Sequence, residues 1–275
     1  MSVRDLFANG VRLCVETWGE GDEPFVLLHG LASTQHMFDL VAPLLADSYY
    51  VIAPDQRGHG KSDKPASGYD FDTICADVDG LVEALGLPQP FRLAGHSWGA
   101  YSVLRYAATR PERVSKLFLI DGGLVAIRDR AGATWDEAAV RMAPPLYKDR
   151  TQADIERMIR EDWLGPDFRP ELMPLVLSVF DTSDPSQVRA WLPRDQHLQI
   201  AHALWAYDPL VDFASLQVPT LAINTVQGPE RDPVVVAATK AALAACETLQ
   251  IHWMDDTIHD VPWQRPAELA ALLRK

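Results

Sequence analysis

Short runs of consecutive apolar residues recur along the chain, and segments with helical periodicity separate most of them. The runs are apolar on both faces, which is typical of strands in a parallel sheet covered by helices on both sides. A more alternating stretch, 9–19, predicts an antiparallel edge strand or hairpin arm. The runs predicted as strands are 24–30, 50–55, 91–97, 116–123, 219–225 and 248–256.

The segments between these runs predict helices that cross from one strand to the next. Pro111 favours an end to the third helix, and Pro233 suits the first turn of the fourth. Strands that alternate with helices predict an α/β fold with a mostly parallel, doubly wound sheet. The predicted helices are 34–46, 71–86, 98–109, 233–245 and 263–274.

The alternation stops between residues 124 and 213, where no run predicts a strand and many prolines favour short helices. Thr151 is a plausible N-cap for a helical pattern over 151–164. A disordered linker is the alternative, but tryptophans are costly to leave in solvent. We therefore interpret 124–213 as a helical cap inserted into a core domain formed by 1–123 and 214–275. The tryptophans are Trp135, Trp163, Trp191 and Trp205.

Length and charge restrict the classes of partner. A chain of 275 residues with 48% hydrophobic and 23% charged residues suits one α/β domain with an insertion. The formal net charge of −13 disfavours binding to nucleic acid or to an anionic membrane surface. We expect a small-molecule substrate for a monomer or homodimer.

Cysteine usage and the N-terminal sequence favour a cytoplasmic protein. Cys14, Cys75 and Cys246 are scattered, and their spacing suggests neither a disulfide framework nor a metal site. The first residues lack the apolar run of a secretory signal, and no stretch approaches the length of a membrane span. A reducing compartment fits this pattern best.

The stretch RLAGHSWGAYSV, residues 92–103, places a serine between two glycines where a strand passes into a helix. A G-x-S-x-G sequence in this context is a nucleophile elbow, a turn so sharp that the serine backbone is strained. Side chains at Gly95 and Gly99 would collide with neighbouring backbone. The turn exposes Ser97 Oγ at the start of a helix, where the helix dipole favours negative charge.

Three further stretches accompany this motif: LLHGLAS (27–33), APDQRGHGKSDKP (53–65) and TIHDVPWQRPAEL (257–269). Together they resemble the α/β-hydrolase fold family, in its cap-bearing subgroup, over nearly the whole chain. The resemblance implies an oxyanion-hole strand and turn, the loop after the next strand, and the loop that carries the catalytic histidine. It implies the α/β-hydrolase fold with an inserted helical cap, and no cofactor or metal ion.

The sequence GHSWGA is similar to the GHDWGA of epoxide hydrolases, with Ser97 in place of aspartate. Those enzymes and haloalkane dehalogenases attack a saturated carbon with a carboxylate and then hydrolyse the ester. A serine would leave an alkyl ether with no easy hydrolytic exit. Ser97 therefore favours attack on a carbonyl group and an acyl-serine intermediate.

Ser97 needs a general base, and histidine suits that role near neutral pH. Among the eight histidines, His259 follows the last strand and precedes Pro262, in the loop that the fold brings over the elbow. We predict that His259 is the base. The alternative is an exposed loop histidine.

The acid that orients His259 is open between two aspartates. Asp232, in VQGPERDPVVV, matches the family's loop pattern and is our first prediction, although it could also cap the helix that starts at Pro233. Asp121, in FLIDGG, occupies the other location that this fold uses for an acid. Glu230 remains possible because the loop is slightly long.

Two backbone N–H groups, of Leu31 and Trp98, are the predicted oxyanion hole. Their side chains would give the pocket an apolar wall. By position and type the candidate substrate-binding residues are Phe38, Trp135, Trp163 and Trp191, although such residues are more often plain core.

These features predict a cofactor-free serine hydrolase of small or medium carboxylic esters or lactones. A carbon–carbon bond hydrolase or an amidase with the same triad is an alternative. His96 disfavours a carbon–carbon bond hydrolase, because those that cleave ring-fission products often have asparagine before the serine. A further alternative is a non-hydrolytic member of the fold: a receptor-like binder, a cofactor-free lyase or a dioxygenase.

Overall fold

The computed structural model describes all residues, 1–275, and its main feature is one eight-stranded sheet. The structure has ten strands, and all but β7 and β8 belong to this sheet. They are β1 Ser2–Ala8, β2 Val11–Trp18, β3 Glu23–Leu28, β4 Tyr49–Pro54, β5 Phe91–His96, β6 Val114–Ile120, β7 Phe180–Asp181, β8 Arg189–Ala190, β9 Thr220–Val226 and β10 Leu249–Asp255. The sheet order is β1-β2-β4-β3-β5-β6-β9-β10. The pairs β1–β2 and β2–β4 are antiparallel, and every other pair in the sheet is parallel. The predicted mostly parallel α/β sheet is confirmed.

Helices follow the predicted alternation with two interruptions. The predicted helix 34–46 is a 3-10 turn, Gln35–Phe38, followed by a separate α1, and the predicted helix 263–274 is divided between α11 and α12. Pro43 and Pro266 each lie in the first turn of the later helix, where proline is tolerated. The α-helices are α1 Ala42–Leu45, α2 Phe71–Leu85, α3 Trp98–Thr109, α4 Arg128–Ala131, α5 Trp135–Arg141, α6 Gln152–Met158, α7 Met173–Leu177, α8 Arg194–Ala206, α9 Pro209–Phe213, α10 Pro233–Ala245, α11 Val261–Gln264 and α12 Pro266–Leu273.

Hydrophobic cores of nearly equal size cover the two faces of the sheet, with 31 and 30 buried residues. Alternation along β3 divides its side chains between them: Phe25 and Leu27 face one core, Val26 and Leu28 the other. Helices α2 and α3 contribute to the second core. Burial on both faces explains why these strands read as continuous apolar runs.

The segment 124–213 consists mainly of short helices, α4 to α9, with a two-residue ladder between β7 and β8. A π-helical turn, Ile159–Trp163, extends α6, and Thr151 caps that helix as predicted. Ile155 and Val176 belong to the same core as Phe25, so this segment is packed onto the sheet domain. No helix in the structure combines the length and hydrophobicity that crossing a membrane would need.

Candidate active site

Ser97 lies at the tight turn between β5 and α3. Its backbone angles, φ 54° and ψ −118°, are unfavourable for an L-residue. The turn is held because the Ser97 N–H donates to the Ile120 carbonyl at 2.9 Å, and the Ala100 N–H donates to the Ser97 carbonyl at 2.9 Å. The strain that the sequence predicts is therefore present, and it is fixed by β6 and by α3.

Glycines around Ser97 allow backbone segments to approach closely. A Cβ at Gly95 would lie 2.1 Å from the Gly99 carbonyl oxygen, and one at Gly99 would lie 2.3 Å from that of Leu28. A Cβ at Gly122 would lie 2.3 Å from the Ser97 carbonyl oxygen. Larger residues at these positions would force the elbow apart, which explains the G-x-S-x-G pattern and the Gly122 that follows β6.

A chain of hydrogen bonds connects Ser97, His259 and Asp121. His259 Nε2 is 3.0 Å from Ser97 Oγ, and His259 Nδ1 is 2.5 Å from Asp121 Oδ2. Because an ionised carboxylate only accepts, Nδ1–H donates to Asp121 and Nε2 is free to accept from the serine hydroxyl. This arrangement has the geometry of a serine–histidine–acid triad.

Asp121, and not Asp232, is the aspartate beside the imidazole. Asp121 follows β6, the neighbour of the strand that carries Ser97, and its second oxygen accepts from the Thr225 N–H at 2.9 Å. Asp232 lies in an exposed loop, where its carboxylate accepts from the Val234 N–H at 2.8 Å and pairs with Arg130. The expectation that Asp232 orients His259 therefore does not hold in this structure, because His259 Nδ1 is bonded to Asp121 and the Asp232 carboxylate contacts Val234 and Arg130 instead. Glu230, the other alternative, lies in the same exposed loop.

The two partners shift each other's pKa. Burial alone would lower the pKa of His259, but the hydrogen bond and the charge of Asp121 outweigh it and raise that pKa above its usual range. Burial would raise the pKa of Asp121, yet the hydrogen bond and charge of His259 and the bonds from Thr225 bring it below its usual range. The imidazole is about half exposed, at 53%, so solvent reaches the ring.

His96 is a neighbour of the triad that the sequence analysis set aside. Its Nε2 is 2.9 Å from the His259 carbonyl oxygen, and the two rings are 4.8 Å apart. Complete burial, together with the charge of His259, lowers the pKa of His96 to about 4, so the ring is neutral and Nε2–H donates. His96 thus holds the backbone of the histidine loop against β5. Its position directly before Ser97 was the available signal.

Buried histidines also support the turn after β3. His59 Nε2 accepts from the Ala32 N–H at 3.2 Å, and its ring stacks on Trp98 at 5.3 Å. His29 Nε2 accepts from the Gln56 N–H at 3.0 Å. Burial lowers the pKa of both histidines, so both rings remain neutral acceptors. These contacts fix the backbone that carries Leu31.

The Leu31 and Trp98 N–H groups are available to bind an oxygen atom. Trp98 is the first residue of α3 and has no intrahelical acceptor, and the Leu31 N–H makes no hydrogen bond within the protein. Gly30 lies beside the elbow, since a Cβ there would be 3.0 Å from Ser97 Cβ. Both donors therefore belong to backbone that borders Ser97.

The predicted substrate-binding residues fall into three groups. Trp163 and Trp191 line one apolar cavity of about 70 Å³, together with Ala32 and Ser33 next to the Leu31 turn. Trp135 lines a different cavity and packs on His202 at 4.8 Å. Phe38 is fully buried in the core and offers no surface to a ligand, so its assignment as a substrate contact is wrong.

Residues 23–249 match the family model described as the alpha/beta hydrolase fold. A soluble epoxide hydrolase from Corynebacterium sp. (strain C12) is 40% identical over 113 residues, 41% of this chain and 39% of that protein. A non-heme chloroperoxidase from Streptomyces lividans is 40% identical over 116 residues, 41% of this chain and 42% of that protein. The matches thus span about two fifths of the length of these relatives.

A solved structure of E-2-(acetamidomethylene)succinate hydrolase has a similar fold over nearly the whole chain. Its TM-score is 0.83 at 22% identity, and the match covers 99% of this chain and 97% of that one. The similarity extends through residues 124–213 as well as the sheet. At this level of identity the match describes the fold alone.

Proposed function

Because the chain belongs to the α/β-hydrolase fold family and its relatives include hydrolases, we propose that it is a serine hydrolase. Its proposed substrates are small or medium, largely uncharged carboxylic esters or lactones. The observation that carries this proposal is the hydrogen-bonded chain Ser97–His259–Asp121. The buried free thiols of Cys14, Cys75 and Cys246 support a reducing compartment such as the cytoplasm.

Each member of the chain has one chemical role in the proposed mechanism. His259 Nε2 takes the proton of Ser97 Oγ as the oxygen attacks the substrate carbonyl carbon. Asp121 keeps the imidazole in the tautomer with Nδ1 protonated and stabilises the imidazolium that forms. The oxyanion accepts hydrogen bonds from the Leu31 and Trp98 N–H groups. The imidazolium then protonates the leaving alkoxide, and an acyl-serine remains.

Water completes the cycle by the same groups. His259 takes a proton from water, the hydroxide attacks the acyl carbonyl, and Ser97 Oγ leaves with the proton from the imidazolium. The half-exposed imidazole supports this step because water can reach it. A carbonyl substrate is also the one for which a serine nucleophile gives an intermediate that water can hydrolyse.

The apolar cavity beside the Leu31 turn supports a substrate with a small uncharged group. Eight of the twelve residues that line it are hydrophobic, and none is a lysine, an arginine or a carboxylate. A volume of about 70 Å³ admits only a few carbon atoms. We propose that this cavity, between the sheet domain and segment 124–213, receives one side of the ester.

The test combines covalent labelling with turnover. A fluorophosphonate probe should label the wild-type protein once, at Ser97 by peptide mass spectrometry, and p-nitrophenyl acetate and butyrate should be hydrolysed with sustained turnover. Ser97→Ala should lose labelling and lower kcat on the order of 10⁶-fold, with an unchanged circular dichroism spectrum. Ser102→Ala, a matched change on α3, should retain activity.

Three outcomes would contradict the proposal. Labelling without sustained turnover would indicate a binding protein on a hydrolase scaffold. Retention of more than about a tenth of the activity by Ser97→Ala would exclude nucleophilic serine catalysis. Turnover of an anilide panel but not of esters would transfer the mechanism to an amidase.

A further inference from the structure

Glu16 is a buried carboxylate for which the protein provides no adequate partner. It lies on β2, is 1% exposed, and its Oε2 accepts no hydrogen bond. Its nearest cationic candidate is His36 Nδ1 at 3.8 Å, beyond hydrogen-bonding distance. A buried carboxylate without a partner is costly, so such a group takes a proton or a cation.

Two further ligand groups converge on the same point. His36 Nδ1 is 2.8 Å from Asp39 Oδ2, and the other oxygen of Asp39 is buried without a partner. Neither Glu16 nor Asp39 is paired with a lysine or arginine side chain. The cluster therefore has two carboxylates and one imidazole, with no lysine or arginine side chain to balance the carboxylates.

From this juxtaposition we propose that Glu16, His36 and Asp39 bind one divalent transition-metal ion, for which zinc is the best fit. Imidazole with carboxylate is a common zinc donor set, and a soft thiolate ligand is absent. Zinc–ligand distances of about 2.1 Å in a tetrahedron place ligand atoms roughly 3.4 Å apart. The separations of 2.8 and 3.8 Å bracket that value, and all three ligand atoms lie within 4.8 Å of one another.

The site has an entry path and a clear place in the fold. His36 lines a surface cavity of about 470 Å³, from which an ion and a fourth ligand, water, can enter. Glu16 is on β2, whereas His36 lies in the 3-10 turn Gln35–Phe38 that follows the Leu31 backbone and Asp39 comes directly after that turn. The ion would join β2 to that turn, so its expected effect is stabilisation. The sequence analysis predicted no metal ion, on the cysteine spacing and on the family resemblance.

The experiment uses the full chain after removal of metal with EDTA. Zinc chloride should bind with a stoichiometry of one by calorimetry, and at 100-fold excess over Kd it should raise Tm by roughly 5 °C. Cobalt chloride should give visible d–d bands of low-symmetry coordination. His36→Asn and Asp39→Asn should weaken binding at least tenfold. His252→Asn, which removes an imidazole on β10, should leave it unchanged.

Glu16→Gln separates a metal from a proton because it keeps the shape and removes the charge. On our proposal the variant binds zinc at least tenfold more weakly than the wild type. If the site holds only a proton, the variant is stable and zinc neither binds to the wild type nor changes its Tm. Binding that persists in His36→Asn, or that disappears in His259→Asn, would place the ion elsewhere and overturn the proposal. If a variant fails to fold, the absence of cobalt bands in the wild type overturns it independently.

Discussion

Asp121 uses one carboxylate oxygen for His259 and the other for the Thr225 backbone. In the proposed mechanism this single side chain both orients the base and balances its charge. Asp121→Asn keeps the shape but loses the charge that stabilises the imidazolium. We expect kcat to fall roughly 10⁴-fold with a nearly unchanged structure. Steady-state hydrolysis of p-nitrophenyl butyrate measures this effect.

Asp232→Asn is the matched control, since it alters the N-cap of α10 and the pair with Arg130. Asparagine is also a good N-cap, so activity should remain near that of the wild type, and stability should fall by less than about 1 kcal/mol. A severe loss of kcat in Asp232→Asn, with Asp121→Asn nearly unaffected, would show that the loop rearranges when substrate binds.

The pH profile reports the same pair. His259 acts as a base only when neutral, and Asp121 raises its pKa above the ordinary 6.5. The acid limb of kcat/KM should therefore fall at an apparent pKa above that value, and in Asp121→Asn the limb should move to lower pH. A limb that does not move would mean that another group controls it.

The raised pKa of His259 affects stability in the opposite pH direction from activity. A raised pKa in the folded state means that the protonated imidazole stabilises the fold below its unfolded pKa. That contribution is lost as pH rises through the raised value.

At the scale of single residues the sequence was informative where a role depends on local pattern. The elbow around Ser97 and the loop around His259 could be read directly, and the structure has the two side chains in contact. The sequence favoured Asp232 over Asp121 on the pattern of its loop, although both residues follow strands, and the structure has Asp121 beside His259. What separates them is that β6 lies next to β5, and that the loop after β9 directs its carboxylate into a helix terminus.

Among the elements, the loop that carries His259 is attached to segment 124–213 by three hydrogen bonds. Trp163 Nε1–H donates to Asp260 at 2.9 Å, Gln264 donates to Asp167 at 2.8 Å, and Arg169 donates to the Trp263 carbonyl at 2.6 Å. The residue after the base is thus held by the predicted cap. Movement of this part of the cap would displace the imidazole.

Substitutions at two cap tryptophans should change the ester preference. Trp163→Phe and Trp191→Phe enlarge or reshape the cavity beside the Leu31 turn. We expect the ratio of kcat/KM for hexanoate to acetate p-nitrophenyl esters to rise several-fold, since an added methylene is worth roughly 10-fold or more in an apolar pocket. Trp135→Phe, which lines a separate cavity, is the control and should leave the ratio unchanged. An equal change in all three variants would contradict this assignment of the cavity.

Element boundaries were predictable where burial is complete and less so elsewhere. The strand β1 was missed because its side chains are mostly exposed and its pattern is polar. Its partner β2 was predicted, and the two are joined at Asn9 and Gly10, both with positive φ as a tight hairpin requires. The β7–β8 ladder has only two residues in each strand, too few to give a periodic signal.

For the whole molecule, the fold class followed from one physical fact. Parallel strands that are covered on both faces need apolar residues at consecutive positions, and the two cores show that this requirement is met on both sides of the sheet. The boundary of the cap at 124–213 stays a prediction, because that segment shares a continuous core with the sheet domain.

The contact between Ser97 and His259 joins residues 162 positions apart, and His259 follows β10, the strand at one edge of the sheet. Contacts of such separation are closed late when a chain folds, because the entropy of the intervening loop must first be overcome. Esterase activity should therefore reappear after helical ellipticity when the protein refolds from urea, with a slower rate constant. Equal rate constants for the two signals would show that the chain closes in one step. With the delay, hydrolysis becomes a specific reporter of the last stage of folding, and a chain that is still being synthesised carries its nucleophile long before it can use it.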